Sequence, residues 1–216
     1  TIGVITSIVG ILAVSPRSET ESGMRSINRG FFISAALSAA AVLVLSGVYM
    51  KSYRPAVAVL FGLILAGLIQ VLTEHFTSTD RRPVKEIAEA SLTGPATTIL
   101  QGFAVGPELL HGLEHLGVPR YLLMVVQFLY RYLFVISAFA LGNTTAERLY
   151  FISLTGMGML TTVGVIVSMD TYGPVSDNAH GIAEMSGGLG EEADEIMAGL
   201  DAVGNTTKAI TKGMAI

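Results

Sequence analysis

Long runs without charge constrain this chain more than anything else in it. Residues 31–50 and 55–74 are each about the 20 residues that a helix needs to cross a bilayer, and only the basic turn Lys51-Ser52-Tyr53-Arg54 parts them. Such a pair predicts a tight helical hairpin in lipid. Further apolar stretches predict spans over residues 1–14, 121–141 and 149–170, and a last one from 198 to 216, while residues 80–120 carry too many ionisable groups to cross lipid and are expected at the cytoplasmic or interfacial level. The fold class is an all-α transmembrane helical bundle in a single partial domain. Composition agrees, with 51% hydrophobic and 14% charged residues among 216. Small residues crowd the hairpin (Ser34, Ala35, Ala36, Ser38, Gly62, Ala66, Gly67), as close helix packing in lipid requires.

The same composition excludes several functions. With no cysteine there is no disulfide, thiolate metal site or cysteine nucleophile, and with a net charge of -4 there is no basic patch for nucleic acid. Basic residues in the loops at 17–29 and 81–85 place that face in the cytoplasm, together with the acidic stretch after Asp170, and put Lys51 and Arg54 opposite. The chain begins at Thr1 rather than Met and ends in an apolar, helix-like run, so it is expected to be a piece of a larger membrane protein.

Two polar rows stand where lipid makes them costly. Asp170, Asp177 and Glu184 recur every seven residues and share one helical stripe, provided that Pro174 and Gly181 do not break the helix. Three stacked carboxylates call for water, a cation or a divalent metal, and their hard oxygens suit Mg²⁺; a solvated helix end is the plainer alternative. Asp201, Asn205, Lys208 and Lys212 follow 4-3-4 spacing on the final helix. A structural ion pair of Asp201 with Lys208 needs one cation, and this row has two. An amide and two ammonium groups facing a carboxylate row suit an anion held with metal, such as a phosphate.

The string from Asp170 to Met185, DTYGPVSDNAHGIAEM, followed by LDAVGNTTKAITKG from Leu200 to Gly213, resembles the membrane-integral, ion-pumping inorganic pyrophosphatases. Thr73-Glu74-His75-Phe76-Thr77-Ser78 and the segment from Ile87 to Thr97 resemble that family's preceding segments in the same order. The resemblance implies a sixteen-helix fold in two concentric rings, of which this piece matches the seventh to twelfth helices, and a homodimer. It implies that Asp177 and Asn205 bind Mg²⁺, that Lys212 contacts pyrophosphate oxygens, and that Asp170, Glu184 and Asp201 lie close by. The implied reaction is Mg²⁺-dependent hydrolysis of pyrophosphate to two phosphates, coupled to ion movement out of the cytoplasm, by default across a prokaryotic cell membrane.

Potassium-requiring members of that family carry Ala at the position matching Lys208 and a small residue at that matching Thr211. Members that work without potassium carry Lys and Thr. Lys208 and Thr211 therefore imply potassium independence and proton pumping, a tethered ammonium standing where K⁺ would bind. The fragment alone is expected to be inactive, since other helices carry the remaining substrate motifs. A sodium-pumping pyrophosphatase and a non-enzymatic transporter or channel subunit are the alternatives.

Three patterns are decoys. His111, Glu114 and His115 match the HxxEH pattern of certain zinc peptidases, but no third ligand is evident. Gly106-Pro107-Glu108-Leu109 departs from the family string. Gly156-Met157-Gly158 sits in an apolar span, without the strand and helix of a dinucleotide site.

Overall fold

The computed structural model describes residues 1–18, 21–111, 132–187 and 190–215. Among these all regular structure is helical: α1 (Ile2–Leu12), α2 (Gly23–Val48), α3 (Arg54–Thr77), α4 (Arg82–Ser91), α5 (Pro95–His111), α6 (Tyr132–Leu141), α7 (Thr145–Met159), α8 (Val163–Ser186) and α9 (Glu191–Ala215). They form two compact units, one of residues Thr1–Glu74 with Phe134–Ile216, the other of His75–Leu133. Residues 121–131 of the expected span 121–141, and the whole of Glu114 and His115, lie outside the described residues; so do the side chains of 106–111.

The larger unit is built on small residues. Among the residues that α2 buries, Met24, Ile27, Phe31, Ser34 and Ser38 recur at three and four positions, while its Phe32, Leu37, Val44 and Val48 are exposed. A water-soluble helix would present polar groups on that outer face, so lipid is the solvent that it suits. Thr6 on α1 and Ser38 on α2 share a hydroxyl hydrogen bond of 2.6 Å, and the Ser7 hydroxyl donates to Thr161 O at 3.1 Å. Helices α3 and α7 run backbone against backbone: a Cβ on Gly62 would stand 2.0 Å from Thr155 O, and one on Gly158 2.3 Å from Val59 O. Only glycine admits that approach.

Several polar groups buried here find partners within the bundle, whereas Ser34 Oγ, Gln70 Oε1 and Thr162 Oγ1 have none. Thr155 donates to Phe151 O and shares a bond with the Ser137 hydroxyl of α6, both at 2.9 Å. Gln70, fully buried on α3, donates to Asn28 Oδ1 at 3.0 Å, and Asn28 donates in turn to Glu74 at 2.8 Å. A side-chain chain of this kind ties α2 to α3 and gives the buried Gln70 amide nitrogen its acceptor.

Sequence also sets where the helices start and stop. Thr144 and Glu147 make a capping box at the start of α7, the Thr144 hydroxyl accepting from Glu147 N–H and the Glu147 carboxylate from Thr144 N–H. One 3₁₀ turn, Leu160–Thr162, joins α7 to α8, giving a helical stretch of 42 residues. At 1.5 Å per residue it is roughly 60 Å long, against an apolar bilayer core of about 30 Å. Its acidic end, from Asp170 onward, therefore projects beyond the lipid if the apolar end spans it. Helix α8 runs unbroken through Pro174 and Gly181 and stops at Gly187, whose φ of 61° is left-handed. Helix α9 starts at Glu191, earlier than its apolar pattern, because Glu191, Glu192 and Asp194 favour the positive end of the helix dipole.

In the second unit α4 and α5 meet at Gly94, with φ of 132°. Thr93 and Thr97 bond across the turn at 2.7 Å, Arg82 pairs with Glu86, and Gln101 of α5 donates to Glu86 at 3.4 Å.

Candidate functional site

The α8–α9 pair carries both polar rows, and two glycines set its spacing. A Cβ on Gly173 would lie 2.9 Å from Gly204 O, and one on Gly204 would lie 2.5 Å from the Ser176 hydroxyl oxygen. The helices thus cross almost backbone to backbone. Beside the crossing, Tyr172 donates its hydroxyl to Leu200 O at 3.3 Å, and Thr207 is fully buried with its hydroxyl donating to Gly204 O at 2.8 Å.

The absent side chain at Gly173 leaves room for the Lys208 stem. A Cβ there would come 2.7 Å from Lys208 Cε and 3.0 Å from its Cγ. From this groove the ammonium reaches two acceptors, Asp177 Oδ2 on α8 at 3.5 Å and Asn205 Oδ1 on α9 at 3.4 Å. The Asp177 side chain is 61% exposed, so the pair adds about 0–1 kcal/mol to stability and its significance is positional. Lys208 therefore pairs across the helices and not with Asp201 on its own helix.

The other sequence-derived residues are distributed around this centre. Asp201 is turned toward His180, with Oδ2 at 3.9 Å from the His180 Nδ1, and its Oδ1 is buried without a hydrogen-bond partner. Thr211 directs its hydroxyl at Thr207 O, at 3.1 Å, and at Ile166 O of α8, at 3.5 Å, so it braces the helix pair and makes no bond to the ammonium. Lys212 is exposed one turn beyond Lys208, Asp170 is half-buried and Glu184 exposed. Among the described residues no hydrogen bond or ion pair joins Asp170 or Glu184 to α9, although both share the stripe of Asp177. The same residues contain no group of three or more His, Cys, Asp and Glu side chains placed to hold a metal.

Sequence reasoning passed over His180. Its signal was available: Gly173, Asp177, His180 and Glu184 stand in 4-3-4 spacing, the same interval as the row on α9.

Comparison with known proteins decides what kind of chain presents this pair of helices. The family model described as inorganic H⁺ pyrophosphatase matches residues 1–216. The chain belongs to that family. Among inorganic H⁺ pyrophosphatase relatives, the K(+)-insensitive pyrophosphate-energized proton pump of Streptomyces coelicolor is 48% identical over 237 residues, covering 100% of this chain and 28% of the relative. A protein of the same name from Chloroflexus aurantiacus is 41% identical over 222 residues, with 100% and 28% covered. A putative K(+)-stimulated pyrophosphate-energized sodium pump of Clostridium tetani is 39% identical over 215 residues, with 100% and 30% covered. The chain thus spans less than a third of the length of these relatives. Among the described residues three helices are long and apolar enough to cross a membrane, and with the family match they make the chain an integral membrane protein.

Proposed function

We propose that this chain is one part of a pyrophosphate-energised proton pump, which hydrolyses inorganic pyrophosphate to two phosphates and moves protons across the membrane without requiring K⁺. The observation that carries this is the Lys208 ammonium held between Asp177 and Asn205 by the groove at Gly173. A fixed positive charge at that point does for the substrate what a bound monovalent cation otherwise does. The names of the Streptomyces and Chloroflexus relatives support the same reading.

The donor set suits Mg²⁺. Asp177 and Asn205 offer hard, exposed oxygens from adjacent helices, and Mg²⁺ characteristically takes one or two protein oxygens and fills its other positions with water and substrate phosphate. When bound it neutralises phosphate charge and acidifies a water. Asp177 and Asn205 would hold it, Lys208 would supply fixed charge beside them, and the exposed Lys212 would contact the pyrophosphate oxygens. Asp170, Glu184 and Asp201 would surround this centre, with Thr211 fixing the helix that bears Lys208. Residues 1–14, 31–50, 55–74, 121–141, 149–170 and 198–216 would span the membrane in a single partial domain, with 80–120 at the cytoplasmic level. The full-length protein would be a homodimer in a prokaryotic cell membrane, with its site facing the cytoplasm. The isolated 216 residues, which cover 28% of the Streptomyces relative, would not hydrolyse pyrophosphate, because further helices would be needed to complete the site.

The Clostridium relative's name favours a second reading for the cargo, namely sodium. Vesicles containing the full-length protein separate the two. Proton pumping predicts pyrophosphate-driven acidification that is insensitive to K⁺ and Na⁺, with Lys208→Ala acquiring stimulation by K⁺. Severalfold K⁺ stimulation of the unaltered protein would overturn potassium independence, and Na⁺-dependent hydrolysis without acidification would favour sodium.

A further inference from the structure

The proposed reaction makes no use of His180, yet the fold gives this residue a defined task. Both helix ends that meet here are acidic: α8 brings Asp177 and Glu184, and the first half of α9 brings Glu191, Glu192, Asp194, Glu195 and Asp201. Like charges on packed helices push them apart.

His180 stands between the two sets. Its Nδ1 lies 3.9 Å from Asp201 Oδ2 and its Nε2 lies 3.9 Å from Asp194 Oδ1, so one α9 carboxylate faces each ring nitrogen. These are ion-pair distances and not direct hydrogen bonds. Asp194 and Asp201 are seven residues apart and occupy one face of α9 two turns long. The neutral ring turns one N–H toward a carboxylate, and the cation turns both. The imidazole is 20% exposed and the Asp201 side chain 23%, so this contact is more sheltered from solvent than the one to Asp194, which is 58% exposed. The buried, unpartnered Oδ1 of Asp201 makes this contact more consequential, because little else fixes the carboxylate.

We propose that His180 is a positioning residue, a brace that holds the acidic first half of α9 against α8 and so keeps Asn205 and Lys208 in register with Asp177. Its kinetic consequence rests on the proposed pyrophosphate site, whereas its structural consequence does not. If α9 shifts at its head, substrate and metal binding suffer before the chemical step does. The experiment uses the full-length protein in vesicles, with magnesium pyrophosphate as the probe and backbone hydrogen exchange as a second readout.

For His180→Ala the expected result is a KM for magnesium pyrophosphate raised roughly tenfold, the usual scale for losing a residue that orients a ligand, with kcat within about twofold. Exchange of the backbone amides of residues 194–203 should rise, and His180→Gln, which keeps a donor at the same reach, should restore much of both. Unchanged KM and exchange in His180→Ala would overturn the brace. So would a joint loss of kcat and KM that His180→Gln does not repair, because that marks general damage. Should the full-length protein fail to hydrolyse pyrophosphate, the proposed function falls and the exchange comparison still decides the role of His180.

Discussion

The bundle formed by α1, α2, α3 and α7 and the α8–α9 pair use the same device, glycine at a crossing, to opposite ends. Between α3 and α7, Gly62 and Gly158 bring backbones together and most neighbouring polar groups are paired: Thr155 with Ser137, and the Gln70 amide nitrogen with Asn28, which in turn bonds Glu74, leaving Gln70 Oε1 without a partner. Between α8 and α9, Gly173 and Gly204 bring backbones together so that the exposed Asp177 and Asn205 are loosely paired with the half-buried Lys208. Polar groups that are buried and satisfied hold a membrane fold together. Polar groups that are exposed and only half satisfied are available to a ligand.

Substitutions can break this contrast, and the largest effect should come from the bundle. Gly62→Leu drives a side chain into the α7 backbone and should abolish folded full-length protein, measured as the monodisperse fraction after detergent extraction. Asn28→Leu strands the buried Gln70 amide and should cost about 1 kcal/mol, read as a lowered midpoint in thermal unfolding. A smaller, pH-dependent effect should appear in the loop before α2. There the Arg29 guanidinium and the Arg17 backbone N–H hold the Glu21 carboxyl below its ordinary value of 4.5. A depressed carboxylate stabilises the fold above its unfolded-state pKa, and that contribution is lost as pH falls through the folded-state value. Arg29→Met should therefore lower the unfolding midpoint at neutral pH and flatten its fall below pH 4.5. The smallest effect on stability belongs to Lys208→Ala, about 0–1 kcal/mol for a pair whose Asp177 side is exposed, despite the altered K⁺ response expected of it. A melting loss as large as that of Asn28→Leu would erase the distinction between the two regions.

Much of this was legible in the sequence, and the remainder has physical reasons. The α2–α3 hairpin announced itself because length, absence of charge and small residues all pointed one way. Both polar rows were legible from helical spacing, and α8 keeps its row aligned because Pro174 is accommodated without a break. The partner of Lys208 was not legible: spacing along α9 offers Asp201, and only the close approach at Gly173 and Gly204 brings Asp177 within reach. The role of His180 was not legible because its partners, Asp194 and Asp201, lie on the other helix, and spacing along α8 says nothing of them. The early start of α9 was obscured by charge, which reads as a break in apolar pattern but acts favourably at a helix N-terminus.

The groove at Gly173 has a consequence for how this site can change over generations. One vacant position both sets the helix separation and houses the stem of Lys208, so the two cannot be altered independently. A side chain gained at 173 would evict the ammonium and wedge the helices apart in a single step. A shorter residue at 208 would empty the groove and leave space for water or a monovalent cation beside Asp177. Exchange between tethered and free positive charge is thus open in one direction by a single substitution, and the glycine is the permissive background for both forms.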